Sequence, residues 1–548
     1  MSAYVDQNFG DGSSDAYIVN GLGPDGADAL DVLERVAPGK WLFLVSRNVE
    51  DFKVLDGCGR MGDPRVVCQA GPELGPVQDA LKKFIDASEA FEIQILTPPG
   101  ENGTSQFQLV LADALGSAIN QRQVDINTLF VHADRLTLNG IRNLQQLRHS
   151  QPVGNYLEAL QGVPAAVVAS GPSLNDALPI LREYRDRMLI VSVGKSFKLL
   201  VKEGIDPHIV AQLDMAEGCM KFYEGAKIHP DTTLFWDGDC WPEVPELWKG
   251  PKIVSDCGIA VWEWARRFDG GLRTVDWKAQ TVAHTSLHLA RLMGCSPLML
   301  VGVDLAFPGE QTHAEGVTHT WGGKLNAFPE TKYVEVNRVG GGTVRTLPNM
   351  RSYITGFEII VANTKQPIIQ TSPAGAKIRG TVEMPLKQVA EQYCGDKRDV
   401  AGLLKAAHAK PSEWDADDFD YEIKRLRNEL QAVEKMCVEG KRHIWKMKNL
   451  DPMKGNMVRK YAKNEKFALA LRASVLENKS AFAVLRRVVS VTSTHMRDIG
   501  KEIEKAGKER TKIELSADLL EEFFTGFERA AKLIGEEIDK LLLTNDKS

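Results

Sequence analysis

Ser170, Gly171, Pro172 and Ser173 follow the apolar run Ala165–Ala169 and precede a stretch with Leu174, Ala177, Leu178, Leu181 and Tyr184 at helical spacing. A strand that enters a helix through a Gly/Ser turn is a ready anion site. The glycine admits close backbone approach, and the first N–H groups of the helix attract negative charge. Ser173 stands where an N-cap is expected, with a hydroxyl that could serve the helix or an anion. Pro179 is expected to kink that helix or delay its start. The turn lacks both G-x-G-x-x-G and G-x-x-x-x-G-K-[ST], so it is neither a standard dinucleotide turn nor a P-loop. The plain alternative is an ordinary strand-to-helix turn.

Other polar residues fall at the ends of apolar runs in the same part of the chain. Gly194 and Lys195 end or follow MLIVSVG, Asp214 ends HIVAQLD, and Asp237 and Asp239 end TLFWDGD. Asp304 follows Leu298–Val303 and leads into PGEQTHAEGVTHTWGG, which carries His313 and His319. In an open α/β sheet, ligands bind outside the carboxyl ends of the strands, so these groups are expected to converge on one edge. A strand-end aspartate is also a common organiser of loops, and both readings apply to Asp214 and Asp304. The six-residue spacing of His313 and His319 does not put them on one helix face, and no third His or Cys is near in sequence, so no metal site is expected. His284 and His288, four apart in an apolar helix, are expected to pack, as are the tryptophans between 236 and 277.

The elements that must hold these residues alternate. MLIVSVG, HIVAQLD, TLFWDGD, KIVSDC and SPLMLVGVDLAF read as buried strands separated by helices such as TVAHTSLHLARLM. Continuous apolar strands alternating with helices imply a parallel sheet covered on both faces, a Rossmann-like doubly wound fold. Before it, WLFLVS and FEIQIL read as strands of a smaller α/β domain without a catalytic constellation, and NTLFVHADR as a strand or an irregular crossing. Residues 1 to about 25 are rich in Gly, Asp and Ser and are expected to be mobile at the extreme end. After Leu386 strand signals vanish, and charged amphipathic segments around 417–446, 453–478, 480–505 and 516–544 read as an antiparallel helical bundle. The expected organisation is an N-terminal α/β domain at 1–148, a central Rossmann-like domain at 149–388 and a helical domain at 389–548.

Composition narrows the function classes. A chain of 548 residues is too long for one core. A net charge of −6 argues against a nucleic-acid binder, which usually shows a basic face. The eight cysteines contain no C-x-x-C and read as reduced thiols. No secretory signal is visible, and no apolar run approaches the roughly 18 residues of a membrane helix. A cytoplasmic protein without membrane insertion is expected.

Four segments in order, VVASGPSL, SVGKSFKLLVKEGIDPHIVAQLD, LMGCSPLMLVGVDLAFPGEQTHAEG and FEIIVANTKQPIIQTSPAGAKIRGTVEMPL, together resemble the motility-accessory-factor (Maf) glycosyltransferases. Their central domain is also called domain of unknown function 115, or the MptE-like domain. The resemblance covers roughly residues 140–390. It implies a sialyltransferase-like central domain between an N-terminal α/β domain and a C-terminal helical domain. It also implies cytoplasmic transfer of a nonulosonic acid, of pseudaminic or legionaminic type, from its CMP donor to Ser or Thr of flagellin or another protein acceptor.

Such a transfer passes through an oxocarbenium-like state and needs a stabilised leaving phosphate and a base for the acceptor hydroxyl. The expected donor site is Ser170, Gly171, Pro172 and Ser173 with Gly194, with Lys195 adding charge and Asp214 binding ribose or orienting the donor. Asp304 or His313 would deprotonate the hydroxyl, or His313 would protonate the phosphate. No cofactor is required. Two alternatives are an ATP- and Mg²⁺-dependent 6-hydroxymethyl-dihydropterin diphosphokinase, with Asp214 and Asp304 on the metal, and a non-enzymatic flagellin-binding motility protein.

Overall fold

The computed structural model describes residues 3–545 except 10–13, 38, 56–57, 60–61, 72–73, 89, 91, 100–104, 257–259, 269–280, 318–332 and 412–415. The chain divides into two compact units, Met1–Leu129 and Phe130–Ser548.

In the first unit, β1 (Ala16–Asn20), β2 (Trp41–Ser46), β3 (Val66–Ala70) and β4 (Ile93–Leu96) form a parallel sheet in the order β3-β2-β1-β4. Side chains alternate across it with the period of two that a strand imposes. Ala16, Ile18, Phe43 and Val45 pack with Val77, Leu81 and Phe84, while Tyr17, Val19, Leu42 and Leu44 pack with Val32 and Leu33. Both faces are covered, as a parallel sheet requires. One strand is added and one expectation is corrected. Ala16–Asn20, within the Gly-, Asp- and Ser-rich first 25 residues, is a fully buried strand in the middle of this sheet. Residues 127–135 lie inside the helix Gln106–Asn143 rather than in a strand or an irregular crossing. Five residues between Gly- and Asp-rich segments give too short a pattern to read alone, and the pairing to β2 and β4 supplies what local propensity does not.

The second unit holds a nine-stranded sheet and a helical region. β5 (Gln151–Pro152), β6 (Ala165–Val168), β7 (Leu189–Val193), β8 (Ile209–Gln212), β9 (Thr233–Asp237), β10 (Lys252–Ser255) and β11 (Leu298–Val301) belong to the sheet. A separate antiparallel pair, β12 (Val334–Asn337) and β13 (Thr343–Thr346), precedes the last two sheet strands, β14 (Ile368–Gln370) and β15 (Val382–Glu383). The sheet order is β15-β14-β11-β6-β7-β8-β9-β10-β5, with every pairing parallel. From β6 the chain steps outward to β10, then returns to place β11 on the other side of β6. That reversal makes a topological switch point between β6 and β11, where open α/β sheets bind ligands.

β6 is buried throughout. Ala165 and Val167 pack on one face with Leu287, Leu298 and Leu300, and Ala166 and Val168 on the other with Leu174, Leu178 and Val301. Each large aliphatic side chain buried here contributes about 1.5–3 kcal/mol. The helix Leu174–Glu183 starts directly after the turn and contains Pro179, so the delayed start does not occur.

The helices Ala416–Lys448, Gly455–Glu477, Lys479–Leu485, Ser490–Lys505 and Glu509–Asn545 make the expected helical region. Their apolar stripes share one continuous core with the sheet. Phe419, Leu430, Phe523 and Ile534 belong to the same cluster as Trp236, Trp248 and Trp262. The tryptophans at 236, 248, 262 and 264 are buried packing residues, whereas Trp277 lies outside the described residues.

Candidate functional site

The switch point is built from four loops. The turn 169–173 follows β6, residues 302–317 follow β11, residues 371–376 follow β14, and Gly194–Lys195 begin the helix after β7. Gly171 N–H donates to Gly302 O at 2.8 Å, and Ala314 N–H donates to Ser170 O at 3.0 Å. These bonds draw the histidine-bearing loop onto the Ser/Gly turn. A Cβ on Gly171 would lie 2.3 Å from Asp304 Oδ2 and 2.6 Å from Gly302 O. The glycine therefore admits the neighbouring strand end of the protein itself.

Asp304 occupies the N-terminus of the helix Leu174–Glu183. Its Oδ2 accepts from Ser173 N–H at 2.9 Å, and its Oδ1 accepts from the Ser372 hydroxyl. Ser173 is at the cap position, but its side chain makes no cap hydrogen bond to the helix. Pro172 O accepts from Asn175 N–H at 3.3 Å. Asp304 is 2% exposed. Burial pushes its carboxyl above the usual range, while the bonds from Ser372 and Ser173 oppose the shift. Its main chain is engaged too, with Asp304 O accepting from Ala376 N–H at 2.8 Å. The anion at this helix end is the protein's own carboxylate.

Lys195, in the first turn of the helix after β7, and His313, in the loop after β11, come together. Lys195 Nζ lies 2.8 Å from His313 Nε2, and His313 Nδ1 lies 3.1 Å from Thr312 Oγ1. With an ammonium at Lys195, Nε2 is the acceptor and Nδ1 carries the proton towards Thr312. Burial lowers the Lys195 pKa, and the charge of Asp214 opposes that shift. Asp214 is exposed beyond β8, and its Oδ1 accepts from Ala216 N–H at 3.0 Å in a tight turn. Gly194 is buried at the start of its helix, where a Cβ would lie 2.2 Å from Gln212 Oε1. Asp304 and the Lys195–His313 pair are thus joined through the turn 170–173, with Asp214 within electrostatic reach of Lys195. His319 lies outside the described residues.

Asp237 and Asp239, at the end of β9, serve the helical region. Asp239 holds Arg487 through a two-pronged ion pair at 3.0 and 3.1 Å, and Asp237 Oδ1 accepts from Asp239 N–H at 3.1 Å. Burial and the neighbouring Asp239 hold the Asp237 carboxyl well above its usual range. Asn139 donates to Met215 O and Asp239 O, and Asn143 to Gly238 O and Cys240 O, fixing the loops after β8 and β9. His284 stacks on Phe357 with its ring nitrogens near Thr281 Oγ1 and Tyr353 O. Burial lowers its pKa to about 4, as befits a packed neutral imidazole.

The residues that sequence reasoning missed are Ser372, Gln212, Asn139, Asn143 and Arg487. Ser372 carried a usable signal, because it follows a short apolar run, Ile368–Gln370, that ends on the same edge. Arg487 carried none, since nothing local distinguishes it from the other basic residues of the bundle.

Residues 138–310 match the family model described as 6-hydroxymethylpterin diphosphokinase MptE-like. No curated protein sequence matches the chain. Among solved structures, the MAf glycosyltransferase from Magnetospirillum magneticum AMB-1 aligns with a TM-score of 0.49 at 14% identity, over 96% of this chain and 78% of that one. The matched segment, residues 138–310, includes the turn after β6, Lys195, Asp214 and Asp304, and in it the chain is similar to the MptE-like family.

Proposed function

We propose that the protein is a glycosyltransferase that moves a nonulosonic acid from a CMP donor to Ser or Thr hydroxyls of flagellin or another protein acceptor. The observation that carries this reading is the 2.8 Å contact between Lys195 Nζ and His313 Nε2 at the switch point. The four ordered sequence segments supply the choice of sugar and acceptor class. The reaction breaks the bond from the anomeric carbon to the CMP phosphate and forms a bond from that carbon to the acceptor oxygen. The leaving phosphate draws the Lys195 ammonium, which frees the His313 Nε2 lone pair. Nε2 takes the acceptor proton and passes it to the phosphate, while Thr312 holds the tautomer at Nδ1. Asp304 is a positioning residue, because its carboxylate is buried and bonded to Ser173 and Ser372. Asp214, exposed and close enough to interact with Lys195, orients the donor or its ribose. The Lys195 ammonium and the proton delivered through His313 Nε2 together meet the two charges of the leaving phosphate, so this reading requires no metal.

The work would be done in the cytoplasm, where CMP donors and unassembled acceptors meet. Among the described residues no helix is long and apolar enough to cross a membrane.

The test offers the protein CMP-nonulosonate with flagellin, and separately ATP with 6-hydroxymethyl-dihydropterin, and reads product masses. Flagellin gaining one nonulosonate residue, with the gain lost in Lys195→Ala and His313→Gln, is the expected result. Diphosphorylated pterin would replace the reading with the kinase, and no product in either arm would favour a binding protein. Because burial lowers the Lys195 pKa, transfer should fall on the alkaline side below the ordinary lysine range, and Lys195→Arg should move that limb upward.

A further inference from the structure

The first unit contains a second switch point. β1 leads to β2 and β3 on one side, and β4 lies on its other side, giving the order β3-β2-β1-β4 of a mononucleotide-binding half. At the carboxyl end of β1 the chain reads Gly21-Leu22-Gly23-Pro24-Asp25-Gly26 and then enters the helix Ala27–Arg35. This is G-x-G-x-x-G in the strand-turn-helix setting that gives the motif meaning. All three glycines have positive φ, at 92°, 79° and 70°. A Cβ would fall 2.1 Å from Gln108 Nε2 at Gly21, 1.9 Å from Asp28 Oδ2 at Gly23 and 2.2 Å from Val54 Cγ1 at Gly26. Only glycine fits these positions.

A cavity of about 500 Å³ opens there, lined by Asn20, the three glycines, Ser46, Arg47, Ser105 and Gln108 among others. Ser105 and Gln108 form a reciprocal capping box at the start of Gln106–Asn143, with Ser105 N–H to Gln108 Oε1 at 2.8 Å and Gln108 N–H to Ser105 Oγ at 3.2 Å. Asn20 is fully buried, and its Nδ2 donates to Gln108 O at 2.8 Å. Its Oδ1 has no hydrogen-bond partner among the described residues. A buried carbonyl oxygen left in this way calls for a donor from outside the described residues, such as water or a ligand. Three carboxylates, Asp25, Glu50 and Asp51, stand at the rim. Glu50 is paired with Lys53, and Asp51 accepts from the Ser46 hydroxyl. Arg47 follows the last residue of β2, about 20 residues past the motif, where such folds select between a ribose hydroxyl and a 2′-phosphate.

We propose that this unit binds the adenosine-phosphate half of an adenine dinucleotide, with Arg47 meeting a 2′-phosphate. The glycine turn receives the pyrophosphate, and Asn20 takes a ligand hydroxyl or amine donor. This site is independent of the Lys195–His313 site, so either assignment can fail alone.

The test is calorimetric titration of the full-length protein with NADP⁺, NAD⁺ and S-adenosylmethionine, before and after Arg47→Glu. Arg47 is exposed, so the substitution leaves the fold in place. Saturable NADP⁺ binding is expected, at least about tenfold tighter than NAD⁺, with the preference lost in Arg47→Glu. No saturable binding of either dinucleotide would overturn the proposal, as would binding of S-adenosylmethionine alone. A preference for NAD⁺ that Arg47→Glu leaves unchanged would overturn the 2′-phosphate assignment.

Discussion

The two switch points of this chain use the same design with opposite fillings. In the first unit the glycine turn after β1 surrounds a cavity, and a buried Asn20 oxygen has no partner among the described residues. In the second unit the turn after β6 is closed by Asp304, which takes the Ser173 N–H that an outside anion would have used. A helix N-terminus does not distinguish a bound phosphate from a side-chain carboxylate, since both answer the same unpaired donors and the same dipole. A strand-turn-helix signature therefore marks where an anion will sit and not whose anion it is. In the proposed reading the chemistry of the second unit lies one strand over, at Lys195 and His313.

Replacing His313 with Gln should sharpen this division most. If the chemistry has moved to the Lys195–His313 pair, transfer should fall by about 10²–10⁴-fold with the unfolding midpoint in urea unchanged. Equal losses of activity and stability would return His313 to the scaffold.

Asp304→Ala attacks the closed corner directly. It leaves the Ser173 N–H and the Ser372 hydroxyl buried without their acceptor, and should cost about 3 kcal/mol in urea unfolding. Added phosphate should recover part of that stability in the variant and not in the parent. Failure of phosphate to act would mean that the corner cannot be opened to an outside anion.

Acid should weaken the second unit through His284. Its folded pKa of about 4 lies below the ordinary 6.5, so the unfolded chain binds more protons between these values. The stability from keeping this imidazole neutral is complete above pH 6.5 and is lost as pH falls towards 4, by about 3 kcal/mol. His284→Asn should flatten urea midpoints measured across that window, and an unchanged slope would assign the acid loss to other groups.

The smallest effect is expected at the open corner. Ser105→Ala removes one half of the capping box and should cost about 1 kcal/mol. The fall should appear in hydrogen exchange of the first turn of Gln106–Asn143. A loss as large as that of Asp304→Ala would show that the two corners are equally braced.

Much of the central architecture was legible because β6 to β9 and β11 are apolar runs bounded by turns, and the bundle helices repeat their apolar positions over many turns. Ser170–Ser173, Lys195, Asp214 and Asp304 could be placed on one edge from strand ends alone. β1 was not legible, because Ala16–Asn20 is short and Gly- and Asp-rich segments flank it. Arg487 was equally hidden, since its partner Asp239 lies 248 positions away in sequence.

By itself, the sequence determined the parallel α/β class, the helical C-terminal region and the residues available at the strand ends. These follow from period, hydrophobicity and the fixed direction of a parallel sheet, all of which are local properties. Only the tertiary structure decided that Asp304 fills the helix end, that Lys195 meets His313, and that the turn after β1 faces an open cavity. Those outcomes depend on which loops approach within hydrogen-bond distance, and strand order and packing set that approach.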